Sequence, residues 1–593
     1  MQDISPERRC TRKKSCFLFK YLKNIFESVP PILYDPYCIH VSYFAAISLV
    51  GLIPLRFSPT KSKRYLNVLD AFYTSVSAAT VSSLGVVAME DLSHFHLVVM
   101  TILMLLGGEV FTSLCSLHLA RIRLRLRIRL QRSNLHHNSM NSTQMLELHR
   151  YQSTSDQGKS TTHLDQYLHG KDQMRKESIL RPNKAMTGPE DIIDDDLENL
   201  EMNGSRNMAV EECHNEVQSD ADNVLDDDLE YQALTFLCYL CLGYFLFVQL
   251  VGFVLVYIYF CVSRGGERIL SDRGVSKSLF VVFTVISSFA NCGFTPLSDN
   301  MMPLRKHSVL LMILAFQILL GNTMFGPCFS AIFLTLRRFS REEGRRKIYD
   351  YIEKNGHRLF ADHFFSRRQN MWLLLCAVGF LTIEVVMIFA LHWNTVALDG
   401  LTVGEKVIGG VFQSVSIRHS GENIVNPQLL SPALLVIYIV FMYLPPYPFY
   451  KERRDIMNIK PLSKEESKKW SILTQFEKLV MHDSCYLLIA VILICIIESH
   501  NLSQDPLNFN VLAIVFEVVS GYGNVGISLG YNCILFSKMS KHYCEDVPYS
   551  LSGKWSTKGK VIIIMVMFFG RLKVIKSSLR RKLFMQNVVS HNF

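Results

Sequence analysis

The sequence predicts an all-α polytopic membrane protein, and three observations carry that expectation. Of 593 residues, 49% are hydrophobic and only 19% charged. The apolar residues gather into runs of about 20, the length that crosses ~30 Å of hydrocarbon as helix. Basic residues flank those runs, which is the pattern of cytoplasmic anchoring.

Eight runs stand out, near 37–55, 95–119, 234–262, 308–335, 371–392, 429–447, 480–498 and 560–570 with its flanks. Each is read as one membrane span. Within each consecutive pair lies a shorter segment, near 70–84, 278–294, 406–422 and 508–527, richer in Ser and Gly and too short to span twice. Each reads as a re-entrant hairpin. The expected divisions are therefore a cytoplasmic N-terminus (1–36), four repeats (37–120, 234–336, 371–447 and 480–575), a linker (121–233), two cytoplasmic loops (337–370 and 448–479) and a tail (576–593).

Charge sets the expected orientation. Arg121, Arg123, Arg125, Arg127, Arg129 and Arg132 come after the second run, and Arg571, Lys573, Lys576, Arg580, Arg581 and Lys582 after the last. These place both termini in the cytoplasm. Arg56, Lys61, Lys63 and Arg64 fall outside and are outvoted. The polar, basic N-terminus shows no cleavage site, so the first span is expected to act as an uncleaved insertion signal.

The net charge of +10 does not indicate nucleic acid. Residues 133–231 hold 21 acidic and 8 basic side chains, so the basic excess belongs to the membrane-embedded remainder. This linker lacks a sustained helical or strand period and is expected to be largely disordered. Its clusters Asp191, Asp194, Asp195, Asp196 and Asp226, Asp227, Asp228 are read as solvated. The 15 cysteines form no framework; Cys238 and Cys241 read as small core residues on an apolar helix. Cys533 and Cys544 share a predicted outer loop where a disulfide could form. Asn501 opens a glycosylation sequon in a short outer loop.

The four short segments share a grammar: YTSVSAATVSS (73–83), FTVISSFANCG (283–293), FQSVSIRHSG (412–421) and FEVVSGYGNVG (516–526). An aromatic is followed four residues later by Ser77, Ser287, Ser416 or Ser520. A small residue closes each segment, Ser83, Gly293, Gly421 or Gly526, six residues after that serine in three copies and five in the third. Asn291 and Asn524 precede the closing glycine in two copies. Non-helical chain at membrane depth survives only in protein or facing a water-filled cavity. Four such segments around one axis can present carbonyl oxygens in place of a monovalent cation's hydration shell. Thr80 and Val81 match the start of the potassium-channel TVGYG pattern, which no copy completes.

The stretches TSVSAATVSSLGVVAMEDLS, LMLLGGEVFTSL, SSFANCGFTPLSDNM, RHSGENIV, MYLPP, DPLNFNVL, EVVSGYGNVGISLGY and MFFGRLK resemble the plant HKT cation transporters, relatives of bacterial Trk and Ktr proteins. The resemblance runs from about 40 to 575 and fails mainly in the acidic linker. It implies four helix–pore-loop–helix units, eight transmembrane helices and a pseudo-fourfold pore in the plasma membrane. It puts the selectivity filter at Ser83, Gly293, Gly421 and Gly526, flanked by Thr80, Val81, Ser82, Asn291, Cys292, Ser420, Asn524 and Val525. Ser at the first position implies sodium selectivity, although Ser-type members that carry potassium exist. Arg571 is implied at an intracellular constriction, and Gly321, Asn322 and Thr323 at a kink in a pore-side helix. A homodimer, each subunit with its own pore, is also implied.

Two departures from the family pattern are visible. GNT is followed by Met-Phe-Gly before Pro327, where the family pattern has two residues, so Gly326 is extra, and Ile417 precedes Arg418 and His419 where a small or polar residue is expected. Arg418, His419 and Glu422 flank the third filter position and are read as structural bracing; His419 with Glu422 lacks a nucleophile or metal cluster at suitable spacing, so an enzyme is not expected, nor a cofactor. The expected function is sodium transport down its electrochemical gradient. The alternatives are a potassium-permeable or sodium–potassium symporting member, and a non-conducting scaffold acting through the acidic linker.

Overall fold

The computed structural model describes residues 36–129, 131–132, 199–360, 363–364, 367–444, 483–532 and 546–572. The predicted Cys533–Cys544 disulfide, most of the acidic linker, the basic N-terminus and the tail beyond 572 lie outside them.

Helices dominate the described chain. In order they are α1 (Pro36–Phe57), α2 (Val68–Ala79), α3 (His94–Gly107), α4 (Glu109–Arg129), α5 (Asn199–Val262), α6 (Arg264–Asp272), α7 (Lys277–Ala290), α8 (Ser308–Gly321) and α9 (Phe325–Phe339). Beyond these come α10 (Glu343–Leu359), α11 (Arg367–His392), α12 (Val403–His419), α13 (Pro432–Tyr443), α14 (Asp483–Ile497), α15 (Ser499–Gln504), α16 (Val511–Gly523) and α17 (557–572). Among the described residues, three stretches are long and apolar enough to cross a membrane: Cys38–Phe57, Asp226–Val262 and Arg367–His392. The number reaches five if each of two bent pairs is one span. The protein is thus an all-α, multi-pass membrane protein.

Two of the expected spans are broken. The run 95–119 divides at Gly108, where α3 and α4 meet at 55°, and the run 308–335 divides between α8 and α9, which meet at 77°. The cause is close backbone approach. A Cβ at Gly107 would strike the carbonyl of Ala79, and one at Gly321 the carbonyl of Phe289. Each helix seats a glycine on the C-terminus of the short helix before it, and the chain turns immediately afterwards.

The linker also differs from expectation at its C-terminal end, because α5 begins at Asn199 rather than near 234. No proline interrupts 199–233, and once the apolar span has nucleated helix, extension adds one hydrogen bond per residue fixed.

The chain divides into two compact units, Met1–Leu117 with Leu237–Phe593, and His118–Phe236. In the smaller unit Asp228 pairs with Arg132, so this member of the acidic clusters is neutralised within the chain. In the larger unit the helices pack in sequence. α3 packs on α2 and on α7; α8 packs on α7 and on α12; α13 packs on α12 and on α16. Lys560 of α17 closes the series with an ion pair of 2.8 Å to Asp70 at the start of α2. α2, α7, α12 and α16 lie in the four segments read from sequence as re-entrant, and the core that buries them also brings their C-termini together.

Candidate functional site

Three of the four short helices end on their serine by one backbone device. Ser77, Ser287 and Ser520 accept through their carbonyls from the N–H five residues on, at Ser82 (2.8 Å), Cys292 (2.9 Å) and Val525 (3.1 Å). The residue before each of those donors turns left-handed: Val81 (φ 54°), Asn291 (φ 59°) and Asn524 (φ 53°). The closing residues Ser83 (φ 44°), Gly293 (φ 94°), Gly421 (φ 74°) and Gly526 (φ 88°) also have positive φ. Two serines act twice, since Ser287 Oγ and Ser520 Oγ each accept from the N–H of the closing glycine at 3.0 Å. That is the structural content of the six-residue spacing.

The third copy is built differently. α12 continues through His419, Ser420 has φ −121°, and the N–H groups of Ser420 and Gly421 both bond to the Ser416 carbonyl at 2.9 Å. No left-handed residue precedes Gly421, so the segment is one residue shorter. Ser416 Oγ has no hydrogen-bond partner among the described residues. Here side chains do the holding: His419 Nε2 lies 2.7 Å from Thr323 Oγ1 at the α8–α9 break.

The closing residues form a ring by contact. A Cβ at Gly293 would fall on the Ser420 carbonyl, one at Gly421 on the Val525 carbonyl, and one at Gly526 on the Ser82 carbonyl and Ser83 Oγ. Ser83 alone of the four carries a side chain, and its Oγ donates to the Val525 carbonyl at 3.4 Å. Backbone approach this close with φ > 0 is what restricts the other three positions to glycine.

The flanking residues brace this ring. Asn524 Nδ2 donates to Ser82 Oγ (2.7 Å) and to the Met567 carbonyl (3.2 Å), joining the first and fourth segments to α17. Thr80 Oγ1 donates to the Val76 carbonyl and sits 2.8 Å from Ser82 Oγ. Cys292 is a buried free thiol, and Asn291 Nδ2 donates to the Phe289 carbonyl at 3.2 Å.

Glu422 reads from sequence as bracing beside the third segment; the partner it accepts from, and two further supports, do not show there. Ser288 Oγ donates to the fully buried Glu422 carboxylate at 2.5 Å, linking the second and third segments. Asn300 Nδ2 donates to the carbonyls of Gly293 (3.4 Å) and Gly421 (3.5 Å). Arg273 pairs with Glu90 (2.9 Å) and Asp299 (2.8 Å) on the loops beside them. The Glu90 and Asp299 carboxylates hold the Arg273 guanidinium above its ordinary pKa. Asn300 and Glu90 occur inside two of the stretches that carry the family resemblance, but only folding shows what they reach.

Arg571 and the GNT triplet take related positions. Gly570, like Gly107 and Gly321, seats its helix on a short helix, against the Tyr522 carbonyl. The next residue, Arg571, donates through Nη2 to the Gly107 carbonyl at 2.5 Å and lies 5.6 Å over the Phe44 ring. Gly321, Asn322 and Thr323 occupy the corresponding step of α8, where Asn322 leaves the helix (φ −139°, ψ −95°).

With this geometry established, the comparisons with known proteins are decisive for family. Residues 216–543 match the family described as TrkH, cation transport protein. The chain is 35% identical over 542 residues to the cation transporter HKT1;3 of Oryza sativa subsp. japonica, covering 91% of this chain and 89% of that protein. This chain belongs to the plant HKT family, within the TrkH superfamily. HKT relatives similar to it include the probable cation transporter HKT1;4 of the same rice, 34% identical over 90% of this chain and 94% of that one, and the sodium transporter HKT1 of Arabidopsis thaliana, 33% identical over 85% and 86%. Among solved structures the potassium transporter TrkH of Vibrio parahaemolyticus aligns with a TM-score of 0.44 and 12% identity, covering 91% of this chain and 82% of that one. Membership makes this HKT chain a transport protein rather than an enzyme.

Proposed function

We propose that the chain is a sodium-selective, channel-like uniporter of the plasma membrane. In this reading eight spans form four helix–pore-loop–helix units about one pseudo-fourfold pore, with both termini cytoplasmic and one pore per subunit of a homodimer. Ser83, Gly293, Gly421 and Gly526 form the filter. The observation that carries the proposal is the asymmetry of the ring: three glycines and one serine whose hydroxyl reaches the next segment's carbonyl.

Carbonyls of a filter replace an ion's hydration shell. Where three closing residues lack a Cβ, the fourth brings a Cβ and a hydroxyl to the same level and ties one carbonyl. A larger potassium ion loses more coordination there than sodium does. Arg571, anchored by the Gly107 carbonyl, adds a positive charge on the cytoplasmic side that opposes cation occupancy and limits conductance. The ion's own electrochemical gradient drives the flux.

The name of the Arabidopsis relative, a sodium transporter, agrees with this reading. A potassium-permeable or symporting protein is the second reading. It is favoured by the fungal relatives named as potassium transport proteins, such as that of Schizosaccharomyces pombe, 28% identical over 58% of this chain.

Two-electrode voltage clamp on oocytes decides between the two. A near-Nernstian shift of reversal potential with external sodium, and little with potassium, is expected. Comparable shifts with both ions would replace the sodium reading by the second.

A further inference from the structure

Ser83 and Asn300 both donate to carbonyls at the level of the ring, and they do so at different junctions. Ser83 Oγ reaches the Val525 carbonyl, where the first segment meets the fourth. Asn300 serves the second and third: its Nδ2 donates to the Gly293 carbonyl at 3.4 Å and to the Gly421 carbonyl at 3.5 Å. At these lengths each bond is weak alone, but one amide gives the two carbonyls a common anchor.

The backbone around Asn300 aims that amide. Its N–H bonds to the Leu297 carbonyl at 3.2 Å, closing a turn, and its φ of 54° is left-handed, a conformation that asparagine tolerates better than most residues. The turn is tied to the third segment twice. The Met301 N–H donates to the Asn423 carbonyl at 3.1 Å, and the Asn423 N–H donates to Asn300 Oδ1 at 3.3 Å. A backbone N–H can only donate, so the atom facing Asn423 is the amide oxygen, and the amide NH2 is left to face the two carbonyls. Next in the chain, Asp299 pairs with Arg273 at 2.8 Å and Arg273 with Glu90 at 2.9 Å, which holds the same turn from the loop after the first segment.

We propose that Asn300 is a second determinant of ion preference: its amide spans Gly293 and Gly421 and holds the closing carbonyls of the second and third segments at a fixed spacing. Carbonyls held in this way cannot follow a larger ion outward; released, they can, and discrimination against potassium falls. Asn300 acts through the carbonyls and is a positioning residue. The inference deepens the proposed transport function and rests on it for the meaning of the permeability ratio.

Two substitutions that accept a left-handed backbone test it. Asn300→Asp keeps the acceptor for the Asn423 N–H, loses both donors and adds a negative charge. Asn300→Gly loses donors and acceptor and adds no charge. The lost donors are what the two share. Surface abundance and sodium-to-potassium permeability ratio are measured in oocytes, and both variants should lower the ratio about fivefold, the worth of one net hydrogen bond. An unchanged ratio in both overturns the proposal. So does a shift confined to Asn300→Asp, which assigns the effect to charge, or one confined to Asn300→Gly, which assigns it to the Asn423 bond. For a variant retained inside the cell, the ratio is read from tracer flux through purified protein in liposomes. A wild type that passes both ions alike would count against sodium selectivity, while the change in ratio between wild type and variants still decides on Asn300. A wild type without current would count against transport; thermal unfolding of the three detergent-solubilised proteins in sodium and in potassium then decides. Loss in both variants of the wild-type difference between the two ions supports the role of Asn300, and an unchanged difference overturns it.

Discussion

His419 at the end of the third short helix and Thr323 at the break between α8 and α9 are joined by a 2.7 Å hydrogen bond. The bond ties the segment that carries Gly421 to a kink in the preceding repeat, so the two cannot move independently. Both partners are buried, His419 at 6% exposure and Thr323 at 1%. Removing one leaves the other unsatisfied in a water-poor site. Thr323→Val keeps the shape and should cost about 1–3 kcal/mol of stability, with a fall in current per surface protein. Thr323→Ser should restore both. Thermal unfolding in detergent alongside oocyte currents checks this.

Glycine at the ring is required by sterics as well as by dihedrals. Gly293→Ala, Gly421→Ala and Gly526→Ala each drive a Cβ onto the neighbouring segment's backbone. Each should abolish conduction while leaving protein at the membrane. Gly274→Ala is the control: it also has positive φ, 63°, but a Cβ there meets nothing within 4 Å. It should cost about 1–2 kcal/mol through the dihedral alone and leave the permeability ratio unchanged. Surface labelling and currents on the four variants check both expectations.

Arg571→Gln removes a positive charge but keeps a donor for the Gly107 carbonyl. If the charge limits cation occupancy, current per surface protein should rise several-fold with unchanged reversal potential. If Arg571 only holds the helices together, Gln should behave as wild type and Ala should lose surface expression. Current and surface labelling on both variants separate these outcomes.

How far these relationships were legible in sequence depended on whether the signal was local. The aromatic-to-serine spacing and the small closing residue exposed the four segments, because each reflects one turn of helix and one tight backbone turn. The five-residue spacing of the third copy was visible, but its cause, the missing left-handed residue before Gly421, lies in dihedrals. The break after Gly107 was hidden because the apolar run continues through it, whereas the family resemblance implied the kink at Gly321; the constraint at both comes from the Ala79 and Phe289 carbonyls, distant in sequence. Glu422 was legible as bracing because it sits beside the third closing residue, whereas nothing in the sequence names Ser288, in another repeat, as the donor it accepts from. The helical stretch from Asn199 to the expected span was hidden by its polar composition, since its helix propagates from the apolar span on its C-terminal side.

Ser83→Gly asks whether Ser83 sets the ring's preference. Ser83 holds φ 44°, a region that costs a non-glycine residue about 1–2 kcal/mol, so glycine should be accepted without loss of surface protein. The measurement is reversal potential in matched sodium and potassium solutions for wild type and variant. The wild-type potential should follow sodium, and Ser83→Gly should gain marked potassium permeability. Identical permeability ratios in the two proteins, at equal surface abundance, would contradict it.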